Sequence, residues 1–384
     1  MDVGRQTLSP PVKREAAFIP AVLDLSVTDY CNADCDFCGF AKSKMRGKPR
    51  RFVDHEAFER SLPILWRRGI RHLTFQGGEP LLHPKIIDMV AATRRAGMKP
   101  GLITNGWKLP EQADALAEAG LHNLAVSIDS ADMSAHEANR GLRGLGPRIA
   151  RGVARMRARG VPVQASVTVS KLVDYDALPD ALRRLGFDAV LFSYPRKEPF
   201  DSNSLVYGDD SSLVDFTDEE LLAALDAILR VRKRFTVQNP AASVRDIQRH
   251  VRGEKERFAC VGGFKYFYMD WRLDIWRCEA WREPMGSVFD LDRLPDDRSH
   301  CTACTLSCYR DASALMHAGI AAADAAGALS KARPAEAART LLTLPAAESL
   351  GAVLGDARLI FNLGLRSRTV SPAKATAGLQ ETRG

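Results

Sequence analysis

Apolar and polar positions between residues 22 and 195 repeat one phrase: an amphipathic helix, a glycine, then a short apolar strand. The first predicted strand is Val22-Leu23-Asp24-Leu25-Ser26-Val27. A helix begins near Asp54, a residue type suited to an N-cap, with Phe58, Leu62, Leu65 and Trp66 on one face. It stops at Gly69, before the strand His72-Leu73-Thr74-Phe75. The phrase recurs with Ile86, Met89, Val90, Gly97 and the strand 101–104, and again with Ala115, Leu116, Gly120 and the strand 124–127. It recurs with Ile149, Val153, Met156, Gly160 and the strand 163–167, and with Leu178, Leu182, Leu185, Gly186 and the strand 189–192. A helix that turns sharply into a strand ends best on a residue that tolerates the left-handed conformation. The five glycines are 28, 23, 40 and 26 residues apart, the length of one βα unit.

Alternating β and α elements imply a parallel sheet with right-handed crossovers, and ligands at the C-terminal ends of its strands. Six strands predict an α/β fold, a partial (β/α)6 TIM-like barrel, with a smaller C-terminal Cys-rich β-hairpin and helix domain. A doubly wound sheet is the alternative. The expected organisation is an N-terminal extension (1–21), the core barrel (22–200), a loop and helical connection (201–259), the Cys-rich domain (260–310), a helical segment (311–365) and a disordered tail (366–384). Within this, 198–216 is a polar loop that could serve as a lid, and helix signals run from Asp218 to about Arg234.

Composition narrows the class only a little. The chain has 384 residues, 46% hydrophobic and 26% charged, an ordinary globular mixture. No uninterrupted apolar stretch approaches a membrane span, and the first residues lack a signal-peptide pattern, so a cytoplasmic protein without membrane contact is expected. The formal charge of +7 reads as short Arg clusters on solvated helix faces. Nucleic acid is not an expected partner; RNA modification has only this charge behind it.

The eight cysteines change the picture. Cys31, Cys35 and Cys38 fall within eight residues just after the first strand; Cys260, Cys278, Cys301, Cys304 and Cys308 fall within the segment 260–308. Without an oxidising compartment, clustered Cys reads as metal or redox chemistry. Three thiolates on one loop can each hold a corner of a cubane iron–sulfur cluster, leaving one iron open. Structural zinc would want a fourth ligand at short spacing, which the sequence does not offer.

This spacing resembles the radical SAM superfamily, in which a [4Fe–4S] cluster and S-adenosylmethionine generate a 5′-deoxyadenosyl radical. Phe37, before the third Cys, matches the family's adenine-side aromatic. Gly77-Gly78-Glu79-Pro80 matches its GGEP element, whose backbone and acid take the ammonium of SAM; glycines allow close backbone approach and a carboxylate suits an ammonium. More weakly, Ser127 and Asp129 resemble the ribose and carboxylate contact region, Arg140 resembles an Arg able to pair with the SAM carboxylate, and Thr104 and Asn105 end a strand at the same pocket.

The second group, with the intervening segment 269–278, resembles the extension called SPASM or its shortened form, twitch. The full form needs about seven cysteines for two auxiliary clusters; five imply one auxiliary [4Fe–4S] cluster, with Cys260, Cys278, Cys301 and Cys304 as ligands and Cys308 spare or substituting. Leu273 stands where the hairpin usually has a turn glycine. A zinc ribbon remains the alternative here.

The resemblance implies an enzyme that abstracts hydrogen from a small polar, sugar- or nucleoside-like substrate, ending in oxidation, decarboxylation, epimerisation or rearrangement. An external one-electron reductant of flavodoxin or ferredoxin type is implied as partner. A ribosomal peptide-modifying maturase is the competing reading, disfavoured because only 21 residues precede the first strand. A non-catalytic iron–sulfur or zinc interaction protein is the alternative of another class. Tyr194, Lys197 and Tyr266 are the candidate catalytic residues. With Arg196, Tyr207, Lys265, Tyr268 and Asp270 they are expected to line the pocket, a Tyr or Lys serving as base if its pKa were lowered.

Overall fold

The computed structural model describes residues 16–195, 211–299 and 301–355. Its centre is a nine-stranded sheet in the order β6-β5-β4-β3-β2-β1-β7-β8-β9. The strands are β1 (Ala21–Ser26), β2 (Ile70–Gln76), β3 (Lys99–Thr104), β4 (Asn123–Ser127), β5 (Val163–Thr168), β6 (Ala189–Ser193), β7 (Tyr266–Met269), β8 (Asp274–Trp276) and β9 (Pro284–Ser287). The first six run parallel in unbroken sequential order. A doubly wound sheet reverses direction at a switch point; sequential order winds every crossover to one side, as in a barrel. The sheet is open, so the architecture is a partial barrel.

The repeated phrase builds it as the spacing predicts. Helix α1 (His55–Arg68) starts where Asp54 accepts the Ala57 amide at 2.7 Å, buries Phe58, Leu62 and Leu65 against the sheet, and ends on Gly69 at φ +95°. Each such side chain contributes about 1.5–3 kcal/mol by leaving water. Helices α2 (Ile86–Arg95), α3 (Leu109–Glu118), α5 (Leu145–Ala158) and α6 (Leu178–Leu185) follow the same plan. Gly97, Gly120, Gly160 and Gly186 all take positive φ. Two helices lay outside the sequence reading, α4 (Met133–Arg140) and α8 (Ala241–Val251); helix α7 (Asp218–Val231) matches the expected one and carries a Thr217–Glu220 capping box.

Alternation along the strands separates two faces. Leu23, Leu25, Leu73, Phe75, Leu102, Leu124, Val126, Val163, Ala165, Val167, Val190 and Phe192 are buried on the helix side. In register on the other face stand Asp24 beside Thr74, Ser26 beside Gln76, Ser127 beside Ser166 and Thr168 beside Ser193. This inner face is polar, and half-buried across β2, β4, β5 and β6.

The Cys-rich segment is not a detached unit. β7 pairs parallel to β1, extending the barrel's own sheet, and turns antiparallel into β8 and β9. Leu273 occupies the hairpin turn at φ +66°, the left-handed conformation a glycine would favour, and is buried there. Helix α9 (Ser307–Ser330) then crosses back, flanked by α10 (Pro334–Leu341) and α11 (Leu344–Gly355). By length and composition α9 alone, among the described residues, could cross a membrane. Its charged groups are instead paired within the fold: Arg310 with Asp246 at 2.6 Å, both buried, and Asp324 with Arg298 at 2.7 Å. The 366–384 tail and residues 198–210 of the expected 198–216 lid loop lie outside the described residues.

Candidate functional site

The three N-terminal cysteines occupy a loop leaving the C-terminal end of β1. Cys31 and Cys35 are buried and Cys38 half-buried. The loop is tied down at several points: Asp34 N–H donates to the Arg140 carbonyl at 2.9 Å, and Ser43 N–H to Asp34 Oδ1 at 2.9 Å. The Ala33 amide points at Cys31 Sγ, 3.4 Å away. Burial pushes all three thiols up, Cys35 to about 12, and the thiols add mutual repulsion. Such thiols ionise when a cationic group binds them. Among the described residues no three His, Cys, Asp or Glu side chains converge on one ion. A cubane offers separate iron corners, so the three thiols fit it without converging as ligands of a single zinc would.

Gly77 and Gly78 meet this loop edge to edge. Gly78 N–H donates to Thr28 O and Glu79 N–H to Tyr30 O, both at 2.8 Å. A Cβ on Gly78 would lie 2.3 Å from Tyr30 O, and one on Gly77, at φ +123°, 2.5 Å from Thr28 O. The glycines therefore also let this segment lie against the backbone of the cysteine loop.

Glu79 is 1% exposed. Its carboxylate accepts from Thr104 Oγ1 at 2.6 Å, Asn105 N–H at 2.7 Å and Leu81 N–H at 3.0 Å. Burial nonetheless raises its pKa. Three of about four lone-pair positions are thereby used, two on the end of β3 and one on the turn that follows Glu79, so Thr104 and Asn105 reach the site as Glu79's partners. The Asn105 amide also donates to Asn32 at 2.9 Å and faces Cys31 Sγ at 4.0 Å. Phe37 is buried in the main core.

Past β4, Ser127 lies half-buried on the inner face and Asp129 is fully buried. Arg140 holds Asp129 through Nε at 2.8 Å and Nη2 at 2.6 Å. Burial alone would raise this carboxyl, but the Arg140 guanidinium keeps it well below the usual range. Two of Arg140's guanidinium nitrogens are therefore engaged by Asp129. Its charge still acts on Cys31 and Cys35.

The second group assembles from four segments. Cys260 repels Cys278 and Cys304; Cys301 acts on Cys260 and Cys304; Cys278 acts with Cys304. Burial is the leading cause that raises Cys260, Cys278 and Cys304, the last to about 11. Cys308 lies 3.9 Å from Glu279 Oε1, and burial, Glu279, Asp24 and Cys304 all push its thiol up. All five thiols therefore belong to one neighbourhood, with Cys304 acting on both Cys278 and Cys308.

The candidate catalytic residues separate. Tyr194 is fully buried on the helix side beside Tyr175 and Asp311, opposite to half-buried Ser193, so it does not reach the inner face. Lys197, Arg196 and Tyr207 lie outside the described residues. Lys265 precedes β7, at the other end of the sheet, and donates to Ala16 O at 2.9 Å. Asp270 organises the hairpin turn, accepting Arg272 N–H at 2.8 Å and Asp274 N–H at 3.2 Å. Tyr266 and Tyr268 do reach the inner face, donating to Asp24 Oδ2 at 2.9 Å and Ser26 Oγ at 2.8 Å. Burial and Asp24 push the Tyr266 hydroxyl up, the direction opposite to a general base.

Asp24 itself escaped notice. Burial and the charge of Glu279 raise it to about 7, against hydrogen bonds from Tyr266 and Thr74. An acid inside the apolar run of β1, at an inward position, was the signal that could have found it.

Residues 25–191 match the Radical SAM superfamily. Over 166 residues the chain is 35% identical to GTP 3′,8-cyclase 2 of Mycobacterium bovis, covering 42% of this chain and 46% of that one. It is 31% identical over 160 residues to the AdoMet-dependent heme synthase of Methanosarcina barkeri, covering 40% and 43%. The chain therefore spans about half the length of the curated relatives it matches. The crystal structure of Streptococcus suis SuiB bound to S-adenosylmethionine shares the fold, with TM-score 0.54 and 16% identity over 73% of this chain and 67% of that one.

Proposed function

The chain carries a radical SAM domain over residues 25–191, and we propose that this domain, with one auxiliary [4Fe–4S] cluster, abstracts hydrogen from a small polar substrate held on the inner face of the sheet. The family's [4Fe–4S] cluster and SAM supply reductive cleavage to a 5′-deoxyadenosyl radical. The carrying observation is the meeting of Cys31, Cys35 and Cys38 with the Glu79–Thr104–Asn105 and Asp129–Arg140 networks at one set of strand ends.

In this reading the chain's residues orient and shield. Cys31, Cys35 and Cys38 hold the first cluster; Cys260, Cys278, Cys301 and Cys304 hold the second. Glu79 locks Asn105 against the cysteine loop and keeps one lone pair toward an incoming ammonium. Asp129 fixes Arg140 so that its charge stays beside Cys35. Half-buried Thr74, Ser127 and Ser166 present hydroxyls to the substrate, with the buried Asp24–Tyr266 and Ser26–Tyr268 pairs beneath them, a surface suited to a hydroxylated or nucleoside-like molecule. The cyclase relatives act on GTP, which makes nucleotides the first substrates to try.

Anaerobic reconstitution tests the reading. About eight irons per chain are expected for two cubanes, with 5′-deoxyadenosine formed from SAM after reduction. About four irons with bound zinc would remove the auxiliary cluster, and no 5′-deoxyadenosine from a fully loaded protein would overturn the enzyme. Substrate-dependent stimulation by nucleotides, sugars or a peptide panel distinguishes the small-molecule reading from peptide modification.

A further inference from the structure

Thirteen residues between the cysteine loop and α1 hold most of the chain's excess charge. Residues 41–53 contain Lys42, Lys44, Arg46, Lys48, Arg50 and Arg51, six cations and no acid, against a formal +7 for the whole chain. Apart from half-buried Met45, every residue from 42 to 52 is exposed. Like charges so close repel one another, so their concentration does not serve folding.

The strip is fastened onto the cysteine loop. Lys42 N–H donates to Ala33 O at 2.9 Å, Lys44 Nζ to Asp36 O at 2.5 Å, and Val53 N–H to Val27 O at 2.9 Å. The acids beneath it are engaged: Asp29 is buried against Arg51 at 2.5 Å, Asp34 accepts from Ser43, and Asp36 from Ser211. A cleft of about 220 Å³ lies within the strip, lined by Tyr30, Cys31, Lys42, Arg46, Lys48 and Arg50. Arg50 stacks 3.8 Å over the Tyr30 ring. Positive surface therefore surrounds an opening that reaches Cys31.

We propose that residues 42–51 are the docking surface of an acidic one-electron carrier protein, seated over the cleft that leads to Cys31. The inference rests on the iron–sulfur reading of Cys31, Cys35 and Cys38. An electron must reach that group from outside, and complementary charge steers encounter and fixes orientation. A nucleic acid would also meet positive charge, but stacking faces are scarce: the Tyr30 ring is covered by Arg50, and Phe52 packs edge-on to His83 at 5.6 Å.

The test compares two reductants on the reconstituted full chain, following cluster bleaching by stopped flow. One is a photoreduced acidic plant-type ferredoxin; the other is photoreduced deazaflavin, small and neutral. The Arg46→Glu, Lys48→Glu double variant should slow reduction by ferredoxin about tenfold or more at low salt, and the wild-type rate should fall similarly toward ~0.5 M salt, where screening is within a few ångströms. Deazaflavin reduction should stay within about twofold, since a neutral donor is not steered. The Gln versions of both residues should fall between. An unchanged ferredoxin rate in the Glu variant, or equal slowing with both donors, overturns the docking surface. Loss of RNA binding in a gel shift with the ferredoxin rate intact would assign the strip to nucleic acid and overturn it too. Failure of deazaflavin to bleach the wild type would instead overturn the iron–sulfur reading beneath it.

Discussion

The two cysteine groups are built differently. The first places three thiols on one loop of eight residues, at the end of the strand that starts the barrel, and braces it with Gly77–Glu79 and with Asp34 against Arg140. The second draws thiols from before β7, after β8, from the segment before α9 and from α9's first turn. One is a local motif clipped onto the sheet; the other exists only when hairpin and helix are in place. Damage to the first should therefore be chemical and confined, whereas damage to the second should also report on the fold around it.

Serine exchanges test this most strongly. Cys35→Ser should abolish 5′-deoxyadenosine formation and leave about four irons per chain. Cys278→Ser should also leave about four irons while retaining SAM cleavage uncoupled from product. Equal loss of cleavage in both variants would dissolve the contrast.

Next is the brace of the first group. Removing one partner of a buried ion pair leaves the other charge stranded, so Arg140→Gln should cost about 3–5 kcal/mol in denaturant unfolding. Asp129's carboxyl is depressed in the folded chain, so the pair's contribution is present above its unfolded value of about 4 and fades as pH falls further. The gap between variant and wild type should narrow in acid. A constant gap would mean that Arg140 acts by packing alone.

The hairpin of the second group offers a smaller effect. Leu273→Gly would relieve left-handed strain of about 1–2 kcal/mol but lose a buried side chain whose removal costs about 2–5 kcal/mol. Burial wins, and a net loss of about 1–3 kcal/mol is expected, with auxiliary iron reduced and the first cluster untouched. A stabilised variant would show that strain dominates this turn.

Where the groups approach each other, Asp24 titrates in the opposite sense from Asp129. Its pKa is raised to about 7 by burial and Glu279, so stability falls as pH rises from about 4 to 7. In the cluster-free chain Asp24→Asn should flatten that slope and be more stable than the wild type at pH 8, as denaturant unfolding between pH 4 and 8 would show. The smallest change is expected from Cys308→Ser, which should keep auxiliary iron at the wild-type level, since Cys260, Cys278, Cys301 and Cys304 are the four proposed ligands; lost iron would make Cys308 one of them.

The sequence reads unevenly for the same physical reason. Gly69, Gly97, Gly120, Gly160 and Gly186 and the apolar runs between them locate the helices and strands, because periodicity and left-handed caps are local properties. The short helix Met133–Arg140 has two buried side chains, His136 and Arg140, and no apolar stripe to reveal it. The pairing of β7 with β1, across more than 240 residues, has no local signature, so the Cys-rich segment reads as a separate domain when it is an edge of the barrel's sheet. Charge departs from the expected pattern likewise: the excess is concentrated in residues 41–53 rather than spread along helices.

Sequence alone determined the βα order, the helix ends and the two cysteine groups, for these depend on residue type and spacing along the chain. Tertiary structure decided which groups face one another. It turned Glu79 and Arg140 toward partners in the chain, sent Tyr194 to the helix side, brought Asp24 against Tyr266 and Glu279, and wrapped the basic strip around Cys31. Those outcomes depend on register, on strand pairing between distant segments and on the alternation of side chains across a sheet, which become definite only when the strands meet.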